Sequence, residues 1–175
     1  DPDTPYLKKL RKADDAYTAY LKERRSNANS SAFFLDCADF FREDKKDDRL
    51  ALRVLSNLAE LELENAPLLR ILAYRLQQID RHDLAAPLFE EVLKMRGEEP
   101  QSRRDLALCL ARMKQPDLQR AADLLWEVVK KSWDGRFTGI EVMVLHELND
   151  LISRHGLPVV CRQPLAGFDE RFRNS

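Results

Sequence analysis

A chain of 175 residues with 29 basic and 30 acidic side chains has a net charge of −1, which gives no general pull toward nucleic acid or an anionic membrane surface. No apolar run approaches the roughly 20 residues of a membrane-spanning helix. Glycine is scarce, at 5 residues, and β-branched runs are absent, which favours helix over strand.

The length fits one domain with a sizeable core. The opening, Asp1-Pro2-Asp3-Thr4-Pro5, has neither Met nor signal peptide, so the chain is expected to be a piece of something longer. From Tyr6 to about Arg25, Leu7, Leu10, Ala13, Ala16, Tyr17, Tyr20 and Leu21 recur at three- and four-residue steps. That spacing predicts one amphipathic helix over 1–25, half of a preceding repeat. Ser26 to Ser30 ends it and offers caps for the next helix.

Three helix pairs are predicted over 26–131. In the first, helix A (about 31–43) presents Phe33, Phe34, Cys37, Ala38 and Phe41. Helix B (about 48–62) follows the cap Asp47-Asp48 and presents Leu50, Ala51, Val54, Leu55 and Leu58. In the second, Pro67 suits the first turn of helix A, whose face is Leu68, Leu69, Leu72, Ala73 and Leu76. Asp83 is the expected cap of its helix B, which carries Ala85, Leu88, Phe89 and Val92 around Pro87. In the third, Pro100 opens helix A with Leu106, Ala107 and Leu110 inward. Asp117 caps helix B with Ala121, Leu124, Leu125 and Val128. A helix over about 140–154, within a segment 132–156, shows Ile140, Met143, Val144, Leu148, Leu151 and Ile152 and is expected to cover the open end of the stack. Residues 157–175, with Pro158, Pro164 and Gly167, read as a tail or linker to a following domain.

The pairs repeat one another. Leu50-Ala51-Leu52-Arg53-Val54-Leu55 returns 34 residues later as Leu84-Ala85-Ala86-Pro87-Leu88-Phe89, and 36 later again as Ala121-Ala122-Asp123-Leu124-Leu125. A fixed period of this length marks stacked helical repeats, because one pair cannot bury its apolar face alone. The recurring alanines have a steric reason. Where helices A and B cross most closely only a small side chain fits, which assigns Ala38, Ala73 and Ala107 on the A helices and Ala51, Ala85 and Ala121 on the B helices.

The run Leu69, Leu72-Ala73, Leu76, Ala85, Phe89, Val92 resembles the tetratricopeptide repeat (TPR) over about residues 29–131. The resemblance implies an all-α fold, a right-handed superhelical stack of antiparallel helix pairs (a TPR-like α-solenoid), and protein binding as its work. More narrowly, Ala51 to Leu61, together with Trp126-Glu127-Val128-Val129 and Trp133-Asp134-Gly135-Arg136-Phe137, is similar to the repeat segment of large bacterial proteins. Those proteins have vault/inter-alpha-trypsin-type and von Willebrand A-type domains upstream. Phe168 to Asn174 is similar to the stretch before their C-terminal domain. That likeness implies an inner module of a cell-envelope, periplasmic or secreted protein.

No nucleophile elbow, phosphate loop, HExxH or CxxC pair is present, and no enzyme activity or cofactor is expected. Cys37, Cys109 and Cys161 are an odd number without metal-ligand spacing and read as small buried hydrophobes. His82, His146 and His155 are scattered, so no metal site is expected. Function should lie on the concave face, lined by A-helix residues that point away from B. The candidates are Asp39 and Arg42, then Arg70, Tyr74, Gln77 and Gln78, then Arg104, Leu108 and Arg112.

Arg70 and Arg104 lie 34 apart and with Tyr74 would make a cationic, partly aromatic stripe for an acidic segment. Equally, these arginines pair with Asp36, Asp105 or glutamates on adjoining helices. The expected partner is a protein or peptide, acidic where the stripe is free, or a neighbouring domain of the parent chain; nucleic acid and direct membrane insertion are not expected. A purely structural spacer and a small-ligand-sensing module are the alternatives.

Overall fold

A computed structural model describes residues 4–61 and 64–156. These residues are all-α, of the TPR-like α-solenoid class, and among them no strand occurs. The helices are α1 (Pro5–Lys12), α2 (Ala16–Ser26), α3 (Ser31–Asp39), α4 (Asp48–Leu61), α5 (Ala66–Gln78), α6 (His82–Met95), α7 (Pro100–Ala111), α8 (Leu118–Lys130) and α9 (Ile140–His155). The chain divides into two compact units, residues 1–68 and 69–175, with the boundary in the first turn of α5. The expected tail 157–175, with Cys161 and the phrase Phe168 to Asn174, lies outside the described residues.

In the first unit, two helices stand where the apolar spacing predicts one. Ala13 leaves α1 in an extended conformation (φ −77, ψ 139), and the Asp15 carboxylate accepts from the Tyr17 and Thr18 amides at 3.0 and 3.1 Å, which starts α2. The period survives the break because Leu7, Leu10, Ala16 and Tyr20 all enter one core. Its centre is aromatic. Tyr20 stacks on Phe33 with centroids 5.6 Å apart and meets Phe41 edge-on at 6.0 Å. Tyr6 packs edge-on to Phe33 and donates its hydroxyl to Asp36 at 2.5 Å, and Asn57 donates to the Tyr20 hydroxyl at 3.3 Å. Ser30 caps α3 and Asp47 caps α4 through the Leu50 amide at 2.9 Å.

The first two turns from A to B helices share one device. After α3 the chain makes a π turn over Phe40–Asp44, and the Asp47 amide then donates to the Phe41 carbonyl at 2.9 Å across Lys46, at φ 54. After α5 the Arg81 amide donates to the Leu76 carbonyl at 2.9 Å across Asp80, at φ 57. Both are left-handed helix stops that satisfy carbonyls of the last turn. Lys46 and Asp80 are 34 residues apart, so the period extends to the backbone geometry of the turns.

In the second unit, Leu69, Leu72, Ala73 and Leu76 of α5 are buried, as are Ala85, Phe89 and Val92 of α6. So are Leu106, Ala107 and Leu110 of α7 and Ala121, Leu125 and Val128 of α8. Ala73, Ala85, Ala107 and Ala121 are each fully out of solvent, as the close-crossing argument requires. Helix α6 runs unbroken through Pro87. Asp83 does not cap it. Arg81 occupies the cap position, and its guanidinium holds the Asp83 carboxylate at 2.8 and 2.9 Å, leaving that carboxylate a first-turn anion beside the helix dipole. Asn65 caps α5 and Asp117 caps α8, each accepting at 3.1 Å from the third amide on.

Helix α9 packs on α7 and α8 through Val144, Leu148 and Leu151. Met143, expected inward, is exposed, because the face that meets α8 runs through the next residue. Arg103 of α7 acts as a brace toward α8 and the segment that follows it. Its Nε donates to Glu127 at 2.9 Å, its Nη1 donates to the Gly97 carbonyl, and its guanidinium lies 5.3 Å over the Trp133 ring. The Trp133 indole in turn donates to the Val128 carbonyl at 2.8 Å.

Candidate functional site

Of the nine candidates, Asp39 and Arg42 belong to the first unit. Arg42 sits in the π turn, 3.9 Å from Asp39 and 2.5 Å from Glu43. The other seven belong to the second unit, six of them on α5 and α7 and Arg112 at the C-cap of α7.

Arg70 projects from α5 onto α7. It donates to Glu99 at 2.8 Å and to the Ser102 hydroxyl at 2.9 Å, and its Nε faces the Asp105 carboxylate at 3.5 Å. Arg104 projects from α7 onto α9 and grips Glu147 with two nitrogens, at 2.5 to 3.1 Å. The fork geometry of guanidinium on carboxylate is the strong form of this contact. Both arginines are therefore already paired, and the stripe they were expected to form is close to neutral.

Asp105 is 4% exposed and sits at the centre of the polar network. Burial pushes its carboxyl above the usual range, opposed by hydrogen bonds from Tyr74 and Gln101 and by the Arg70 and Arg104 charges. Gln101 donates to its Oδ1 at 2.5 Å, whereas Oδ2 and the Arg70 Nε that faces it make no hydrogen bond. Tyr74 packs edge-on against Phe89 at 5.5 Å and keeps 38% of its surface exposed. Burial of its hydroxyl, then the Asp105 carboxylate, push its pKa up to about 12. Ile71, one turn away on α5, is 42% exposed. Gln77 turns to the Cys109 thiol, and Gln78 accepts from Arg75 at 3.5 Å.

Arg104, Leu108 and Arg112 come together along one wall of a cleft of about 260 Å³, facing Glu147, Asp150, Leu151 and Arg154 of α9. Ala107, Ala111 and Leu125 complete its floor. The α9 wall was missed by sequence reasoning, which assigned that helix to covering the stack. The available signal was the Glu147, Asp150, Leu151, Arg154 series at three- and four-residue steps, a face with mixed charge where a covering helix needs only apolar contact.

Among the described residues no group of three His, Cys, Asp or Glu is placed to hold a metal ion, and no helix is long and apolar enough to cross a membrane. Burial pushes the Cys37 and Cys109 thiols up to about 12 and about 11, far from the range of a nucleophilic thiolate.

No protein-family model matches the chain, and no curated protein matches it. Among solved structures, a crystal structure of MamA superposes with a TM-score of 0.56 at 16% identity, over 88% of this chain and 86% of that one. A second, a crystal structure of MamA protein, gives a TM-score of 0.47 at 15% identity, over 87% of this chain and 94% of that one. The first likeness bears on the fold alone.

Proposed function

We propose that this chain is a TPR-like protein-interaction module that holds a peptide or a folded domain, of another protein or of its own parent, on the A-helix face of its second unit. The observation that carries the reading is the exposed pair Ile71 and Tyr74 on α5, an aliphatic and an aromatic side chain one turn apart. They flank arginines that already hold carboxylate partners. Rigid aromatic and aliphatic anchors ringed by neutralised polar groups are what protein interfaces use. No catalytic role is assigned, since the shifted carboxyl of Asp105 is spent on internal partners. The sequence phrases around Trp133 further support the narrower likeness to an inner module of a large bacterial envelope or secreted protein.

A photo-crosslinking amino acid placed at Tyr74 or Leu108, with exposed Lys94 of α6 as control, tests the reading in native extract. A discrete adduct from the first two positions and none from the third is the expected result. Adducts from Lys94 alone would move the site to the B helices, and none from any position would favour a spacer. Crosslinkers suit this surface better than charge reversal at Arg70 and Arg104, which would set new carboxylates against Glu99 and Glu147.

A further inference from the structure

We propose that the cleft between α7 and α9 seats an acidic peptide segment of a partner protein, an aliphatic side chain entering the floor and a neighbouring carboxylate meeting Arg112. The inference rests on the protein-binding reading above and names the chemistry of the occupant. Three observations carry it. The cleft is shaped by small residues, Ala107 and Ala111, which leave the space that Leu108, Leu125 and Leu151 border, and its remaining lining is polar: Arg104, Arg112, Glu147, Asp150, Arg154 and His155. Its size, about 260 Å³, falls below the roughly 300–1,000 Å³ of cofactor and small-ligand sites and equals the liquid volume of roughly nine waters. That is room for one side chain with its stretch of backbone.

The charge of the rim is uneven. Arg104 and Glu147 cancel one another at one part of the cleft. Arg154 stands 3.8 Å from Asp150, both more than 70% exposed, a loose pair in water. Among the described residues Arg112 has no ion-pair partner, so the rim holds one cation in excess. Basic residues at helix C-termini are favoured by the helix dipole in any case. The dipole does not account for a hollow between them bordered by Leu108 and Leu151.

The probe is a fluorescent peptide, acetyl-Gly-Leu-Asp-Asp-Gly-amide, titrated with the full chain at low salt and read by anisotropy. Two companions replace both Asp by Asn, or Leu by Ser. Saturable binding of the first, weaker by about tenfold or more for each companion, is expected: for Asp to Asn that is the range for losing a hydrogen bond to a charged group, and for Leu to Ser the range for losing a buried aliphatic side chain. Arg112→Glu should weaken the Asp peptide by a similar factor. Glu147→Gln, which frees the Arg104 guanidinium, should tighten it. Equal binding of the three peptides, no binding, or indifference to Arg112→Glu would overturn the proposal. If the peptide fails while Tyr74 still yields a discrete crosslinked partner, the protein-binding reading stands and only the cleft's occupant falls.

Discussion

Asp105 concentrates the electrostatic tension of the second unit. Arg70, Arg104, Tyr74 and Gln101 all face its carboxylate, yet burial outweighs them and raises its pKa. The folded chain thus holds this proton more tightly than the unfolded chain does. The associated stability is fully present below the ordinary value of 3.8 and is lost as pH rises through the raised, folded-state pKa. Asp105→Asn keeps a side chain of the same shape and removes the titration. Urea unfolding of both proteins from about pH 3 to about pH 7 should show the wild type losing ground to the variant as pH rises. A difference independent of pH would mean that Asp105 does not titrate in this window. Residue by residue, the pairing of Arg70 with Asp105 was legible, because both lie on A helices about one repeat apart. The partner of Arg104 was not. Glu147 is 43 residues away, on a helix whose apolar spacing suggested only a covering role.

At the scale of elements, caps and small residues were read well where one residue does one thing. Ser30, Asp47 and Asp117 accept the amides expected of them. Asp83 failed because a neighbouring guanidinium competes for its carboxylate. The split between α1 and α2 was hidden because apolar spacing reports which residues share a core and is silent on whether the backbone between them stays helical. The left-handed stops were also hidden, since Lys46 and Asp80 are not the glycines that announce such a conformation. This has a measurable consequence. A non-glycine side chain at φ 54 is strained by its own Cβ, so Lys46→Gly should stabilise the chain by roughly 0.5–1 kcal/mol, net of the greater freedom glycine has when unfolded. A raised urea midpoint with unchanged slope would bear this out; a lowered midpoint would show that Lys46 makes compensating contacts.

For the whole molecule, the 34-residue period, the helical class and the small-residue crossings were all written in the chain. The division into units 1–68 and 69–175 was not, because the repeat pattern runs across residue 68 without a change. Among the described residues, two buried cysteines sit on either side of that division, Cys37 in the first unit and Cys109 in the second, both free and both with thiols pushed up by burial. Each is therefore a silent clock for its own half. In native buffer, iodoacetamide should modify both far more slowly than in the denatured chain, since alkylation must wait for local opening. Peptide mapping of one alkylation time course then yields two opening rates from a single sample of the unsubstituted chain, with no engineered tag to disturb what is timed. Matching rates would describe a molecule that breathes as a whole, and diverging rates one whose halves keep separate time.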